Sequence, residues 1–273
     1  MTSDSLITST QVRDPFFRVV TATGFTRHHI ADLVAGRCAA VQVPGLFAEA
    51  VCGDLVHALS GADFDQYGAE RVQPAVMRFG VGVSDYRSDG RVDAEYWPAL
   101  DRARAAWDGL SLPMDPWEEA RRSVGADWPG RVGVGRHEGR EMGAGVAREA
   151  PQGFLVHYDD SAREFTDQLL EAPLLAQLAF NLYLAVPESG GETVIWRHRW
   201  HPRDEEFRPQ GSYGFTGDCV RDVESIEVRA AVGDGLLFDS RNYHAVKPSR
   251  GGRRIALGFS VGVAVTGDLL AWG

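Results

Sequence analysis

The spacing of apolar residues changes character near the middle of the chain, and the change predicts two regions built differently. Phe47, Val51, Leu55 and Leu59 recur every four residues, so Phe47–Leu59 is expected to be a helix with one apolar stripe. Ala94–Trp107 is rich in good helix formers and is expected to be a second packing helix. Asp115-Pro116-Trp117-Glu118 sets an N-cap acid, a proline at the first helical position and a reciprocal glutamate, so a third helix should start there. His28-His29 opens a further predicted helix, on its polar face. Gly125–Gly153 is dense in glycine and arginine without a helical period, which predicts loops and short strands.

From Phe154 onward the runs shorten and fill with β-branched and aromatic residues. Phe154–Asp159, Ala176–Val186, Thr193–Trp196, Ser225–Val232, Leu236–Phe238 and Ile255–Val265 are each bounded by turn residues, the rhythm of an antiparallel sandwich or barrel. Between them Arg197–Asp222 is a polar and aromatic insertion, long enough to be a lid over a site. No internal repeat and no low-complexity linker divides the chain. One domain over 1–273 is expected, with a mostly helical region at 1–142 supporting the substrate side and a catalytic core at 143–265.

Composition narrows the partners. The chain has 273 residues, 44% of them apolar, and a formal net charge of −10, so nucleic acid and anionic membranes are repelled on average and a small-molecule partner fits better. Cys38, Cys52 and Cys219 are odd in number and lack a CxxC pair, which argues against a disulfide framework and a thiolate zinc site. Met1–Phe17 lacks an apolar leader core and no apolar run is long enough to cross a bilayer; the expected location is the cytoplasm. The oligomeric state is left open.

Chemistry concentrates in three places. Residues i and i+2 of a strand share a face, so His157 and Asp159 in Leu155-Val156-His157-Tyr158-Asp159 are candidates to grip one metal ion. An isolated HxD is weak, because such triplets are often solvated. Downstream come Gly233-Asp234-Gly235-Leu236-Leu237-Phe238-Asp239, then Tyr243-His244-Ala245-Val246, then Arg253-Arg254-Ile255-Ala256-Leu257-Gly258. Two histidines and one carboxylate leave coordination positions open, the set that non-haem Fe(II) oxygenases use for cosubstrate and dioxygen. A planar guanidinium suits the distal carboxylate of 2-oxoglutarate. Arg254 is preferred to Arg253 because Ala256, Gly258 and Ser260 follow on its face and leave room, whereas Ile255, Leu257 and Phe259 follow on the other.

His157 to Val263 resembles the catalytic core of the Fe(II)/2-oxoglutarate oxygenase superfamily, in its prolyl-hydroxylase-like branch. Besides the metal-binding pattern and the arginine, it has Leu182-Tyr183-Leu184 leading through Pro187-Glu188 to the turn Gly190-Gly191-Glu192-Thr193. Within that branch it is similar to carrier-independent enzymes that halogenate or hydroxylate amino acids and indole alkaloids. The shared order is Val186-Pro187-Glu188, Gly190-Gly191-Glu192, Trp200-His201-Pro202, Gly233-Asp234, Leu237-Phe238, Tyr243-His244 and Arg253-Arg254. The resemblance covers roughly the last two-fifths of the chain, and residues before about Gly143 match loosely.

The resemblance implies an α+β, mainly β fold, a double-stranded β-helix (jelly roll, cupin-like) with N-terminal packing helices. It implies Fe(II) on His157, Asp159 and His244, 2-oxoglutarate held by Arg254, and O2 as co-reactant. It further suggests Tyr183 as a hydrogen-bond partner of the cosubstrate carboxylate and Arg148 as a second arginine facing the site. Halogenases of the group carry glycine where this chain has Asp159, so hydroxylation of an unactivated C–H of an amino acid, alkaloid or other specialised metabolite is expected, with release of succinate and CO2. Desaturation, epoxidation or cyclisation by the same fold is an alternative; so are a non-catalytic cupin-like binding protein and an iron dioxygenase that ignores 2-oxoglutarate. His198, His201 and Asp204 are read as loop or lid residues rather than ligands. No phosphate-binding GxxxxGK[ST] and no Gly-x-Ser-x-Gly elbow is present.

Overall fold

Strand Leu174–Ala185 shows how the molecule is layered. Leu178, Phe180, Leu182 and Leu184 are buried on one face, while the alternate Gln177, Ala179 and Asn181 line a cavity on the other. The apolar face packs against helices Arg27–Val34 and Glu49–Ser60 through Ile30, Leu33, Cys52, Leu55 and Leu59, and the same core takes in Trp117, Ala120 and Val124 of helix Pro116–Val124. Each large side chain so buried contributes roughly 1.5–3 kcal/mol relative to exposure, and this outer layer is the main core. The computed structural model describes residues 14–69 and 71–273; of the leaderless stretch expected at Met1–Phe17, residues 1–13 lie outside the described residues.

Two sheets face each other among the described residues. The larger has ten strands in the order Val19–Thr21, Ala40–Val43, Gly235–Phe238, Leu174–Ala185, Ile255–Ala264, Val146–Glu149, Met77–Phe79 and Asp65–Gln66, with Leu269–Trp272 pairing off Ile255–Ala264 and Val132–Val134 pairing in turn with Leu269–Trp272. The smaller has four, in the order Phe154–His157, Asn242–Val246, Thr193–Arg199 and Ser225–Val228. This is the mainly-β jelly-roll architecture, with open rather than closed sheets.

The helices start close to where the sequence places them. Asp115 caps Pro116–Val124 by accepting from the Trp117 and Glu118 amides, and Thr26 caps Arg27–Val34 with His29 reaching back to the Thr26 amide. The region before residue 143 is nevertheless mixed, not mostly helical. Beside its helices, which include Tyr96–Gly109, it supplies five strands to the large sheet. The open edges of the core present unpaired backbone N–H and C=O groups, and short apolar runs such as Ala40–Val43 satisfy them. Three- and four-residue strands carry too little periodicity to stand out beside helices. Among the described residues no helix is long and apolar enough to cross a membrane.

Candidate active site

His157 ends the strand Phe154–His157 and pairs directly across to His244 on Asn242–Val246, so one antiparallel register brings the two imidazoles together. Their ring centroids are 4.1 Å apart. The Nδ1 of each ring contacts the main-chain carbonyl two residues earlier, His157 to Leu155 at 2.7 Å and His244 to Asn242 at 3.0 Å. With the Nδ1 protons bound there, both Nε2 lone pairs are free for a metal ion.

Asp159 reaches the same point by another route than the shared strand face. The strand stops at His157, and the Asp159 amide donates to the Ser240 carbonyl at 2.9 Å while the Ser240 hydroxyl donates to the Asp159 carbonyl at 3.1 Å. That clamp ties the residue to the turn just before His244. The turn is itself held by buried Asp239, which accepts from Arg199 at 2.6 Å and from Arg241 at 2.8 and 2.9 Å. The Asp159 carboxylate lies 3.5 Å from His244 Nε2, and ligand atoms of His157, Asp159 and His244 all lie within 4.8 Å of one another.

The electrostatics suit a cation. Burial, reinforced by the neighbouring His244, pushes the His157 imidazole down to about 3, so it stays neutral and ready to donate its lone pair. Burial alone would raise the Asp159 carboxyl. The adjoining His244 and His157 rings and a hydrogen bond from Tyr213 outweigh it, and Asp159 remains ionised. A neutral nitrogen pair with one anionic oxygen is the donor set of a non-haem ferrous centre, and a thiolate is absent from it.

Beside this cluster the cavity, about 160 Å³, is lined by Ala256, Gly258 and Ser260, the small residues that follow Arg254 on one face. A Cβ on Gly258 would stand 2.8 Å from Asn181 Oδ1 and 3.2 Å from Arg148 Nη1, so the glycine keeps this wall open. Arg254 is only 4% exposed and donates to the Gly191 carbonyl at 3.1 Å and the Thr193 hydroxyl at 3.4 Å. Among the described residues no carboxylate pairs with it, and burial lowers its pKa. A desolvated guanidinium without an acid is a receptor for an anionic ligand. Arg253 points elsewhere, held by Glu149 at 2.8 and 2.7 Å and by Ser60 at 2.9 Å.

Arg148 also lines the cavity, with its Nε bonded to the Tyr67 hydroxyl at 2.9 Å. Tyr183, expected as a hydrogen-bond partner of the cosubstrate carboxylate, is buried beside Arg254 and does not line the cavity. Its hydroxyl is shared with Thr193 at 2.8 Å and its ring lies 5.3 Å from the Arg254 guanidinium. It supports Arg254, and Thr193 is the side chain that reaches the cavity in its place. His198, Asp204 and Cys219 also bring ligand atoms together, but Asp204 already accepts from the His201 amide at 2.7 Å and the Tyr243 hydroxyl at 3.3 Å and meets His198 at 3.0 Å. That network closes the turn Pro202–Phe207.

The segment Arg197–Asp222 lies over the site after extending the strand to Arg199. It delivers Tyr213, which lines the cavity and donates to the Asp159 carboxylate that would hold metal. The sequence marks this segment but not this tyrosine, because nothing local distinguishes a hydroxyl that acts 54 positions away. Glu164, Ser84, Arg71 and Asp85 line the cavity as well and are equally silent in the sequence.

No protein-family model matches the chain. It is 39% identical over 259 residues to the L-gamma-glutamyl-L-propargylglycine hydroxylase of Streptantibioticus cattleyicolor, covering 94% of this chain and 96% of that protein. Leucinostatins biosynthesis cluster protein S of Purpureocillium lilacinum is 27% identical over 199 residues, 67% of this chain and 75% of that one. The backbone superimposes with a TM-score of 0.60 on an N-substituted L-amino acid dioxygenase from Burkholderia ambifaria at 16% identity, covering 91% of this chain and 92% of the other. Its complex with alpha-KG gives 0.59 at 15% identity, with coverages of 89% and 90%. These structures share the fold.

Proposed function

Because the chain belongs to the Fe(II)/2-oxoglutarate-dependent oxygenases and is a non-haem iron dioxygenase of the hydroxylase type, we propose that it hydroxylates an unactivated C–H of a γ-glutamyl dipeptide or related amino acid. In this reading His157, Asp159 and His244 are the iron ligands, Arg254 anchors the distal carboxylate of 2-oxoglutarate and Arg148 faces the reacting groups. The observation that carries it is the conjunction, on one cavity, of the three convergent ligand atoms with a buried arginine that has no acid of its own. The substrate class is supported by the relative that matches 94% of the chain.

When bound, ferrous iron with 2-oxoglutarate and dioxygen supplies the oxidising power, consuming the keto acid to succinate and CO2. The chain's own residues supply geometry. The Leu155 and Asn242 carbonyls fix the imidazole tautomers, Ser240 and Tyr213 fix Asp159, and Thr193 with Tyr183 supports Arg254. Asp159 would fill the coordination position that a halide needs, which favours oxygen insertion over chlorination. The reading takes residues 14–273 as one domain, in the cytoplasm, with no nucleic-acid or membrane partner; the three free cysteines and the negative net charge support this.

Anaerobic addition of Fe(II) and 2-oxoglutarate tests it. A weak visible charge-transfer band is expected, lost in Asp159→Ala and His244→Ala, and aerobic succinate release should rise with substrate. A protein that binds iron but gives no band with 2-oxoglutarate would refute the reading.

A further inference from the structure

The charged groups on the open side of the metal cluster do not cancel. Asp85 is saturated by Arg71 at 2.7 Å and by Arg78, and Arg78 also meets Asp65 at 3.2 Å. Glu164 is different. It lines the inner cavity, its carboxylate accepts from the Ser84 hydroxyl at 2.7 Å, and no salt bridge reaches it among the described residues. Arg87 donates at 2.9 Å to the Glu164 main-chain carbonyl instead. Burial and then the charge of Asp159 lift the Glu164 carboxyl to about 7, the mark of an acid lacking a counter-ion.

Three groups on this cavity have no ion pair among the described residues, the Arg254 and Arg148 guanidiniums and the Glu164 carboxyl. An anionic cosubstrate answers Arg254, and Glu164 calls for a cation that no described residue provides. Outside Glu164 the charged walls are mostly basic. Glu164, Arg71 and Tyr213 also line an outer vestibule whose other walls include Arg87, Arg163 and Arg208; Arg71, Arg163 and Arg208 meet Asp85, Asp160 and Glu205, while Arg87 has no carboxylate partner among the described residues. A ligand crossing this boundary passes from arginines into a cavity of mixed charge, where Asp85 is held by arginines and Glu164 has no ion pair among the described residues.

We propose that Glu164, oriented by Ser84, binds the ammonium group of the substrate while the arginine-lined vestibule receives its carboxylates, so that the enzyme selects zwitterions with a free α-amine. The inference rests on the oxygenase reading above and on its amino-acid substrate class. An uncharged or N-acylated molecule would leave Glu164 desolvated and unpaired, which disfavours it. A free amine gains a charge-assisted hydrogen bond in a site shielded from water.

The test uses the full chain loaded anaerobically with Fe(II) and 2-oxoglutarate. L-γ-glutamyl-L-propargylglycine, other γ-glutamyl dipeptides and free amino acids are titrated beside their N-acetyl derivatives, reading the shift of the visible band. At least tenfold tighter binding of the free amine is expected in the native chain. Glu164→Gln, which keeps the shape and the Ser84 contact, should reduce that preference below about threefold while its unliganded band stays unchanged, and Glu164→Asp should restore part of it. Equal binding of the N-acetyl compounds, a preference that survives Glu164→Gln, or no response to any free amine overturns the proposal. The band itself separates the two levels: its presence keeps the oxygenase reading whatever the amines do, and its absence removes that reading.

Discussion

Replacing Arg254 by methionine separates its two roles by sign. In the ligand-free protein the guanidinium is 4% exposed and has one good acceptor, the Gly191 carbonyl at 3.1 Å, with no acid to neutralise it. An uncompensated buried charge costs several kcal/mol, whereas the lost hydrogen bond is worth about 1 kcal/mol. Arg254→Met should therefore leave the free protein as stable or raise it by roughly 1–3 kcal/mol, about 2–4 °C in Tm for each kcal/mol. With ligand the order reverses. Saturating a divalent-metal-loaded native chain with 2-oxoglutarate at a hundred times its Kd adds about 2.7 kcal/mol. Losing a bidentate charge pair raises Kd roughly a hundredfold, so the same concentration adds only about 0.4 kcal/mol to the variant. Anaerobic scanning calorimetry with and without 2-oxoglutarate reads both numbers. A variant that melts several degrees lower when free, yet keeps the full ligand shift, would show Arg254 to be a structural residue and refute the reasoning.

Tyr213→Phe removes the donor to Asp159 while keeping the ring, and metal affinity measured by competitive chelation should fall about tenfold with the fold intact. Glu164 predicts a pH dependence in the metal-free protein. Its folded pKa of about 7 lies above the ordinary 4.5, so stability is lost as pH rises between those values and is flat beyond; urea titrations should find Glu164→Gln gaining roughly 1–3 kcal/mol on the native chain across that window and nothing below it. Gly190→Ala should cost about 2–4 kcal/mol in the same assay, because φ is +75° and a Cβ would stand 1.9 Å from the Pro248 carbonyl oxygen. Gly53→Ala, in the exposed turn of Glu49–Ser60 with nothing within 4 Å, should stabilise by about 0.5–1 kcal/mol.

What was written locally could be read locally. The Asp115 cap, the four-residue stripe of Phe47–Leu59 and the alternation that separates Arg254, Ala256 and Gly258 from Ile255 and Leu257 all depend on period and on neighbours, which the chain states outright. The order HxD, distal histidine, arginine was also enough to name the family and its chemistry. Tertiary structure alone decided the rest. Tyr213 meets Asp159 across 54 positions and Ser84 meets Glu164 across 80, through surfaces that no local pattern specifies. Tyr183 meets Thr193 across ten positions, and short runs near the N-terminus became strands because an open sheet edge was there to pair with them. Periodicity fixes which face of an element is apolar; which partner that face or edge meets depends on how the distant elements pack together.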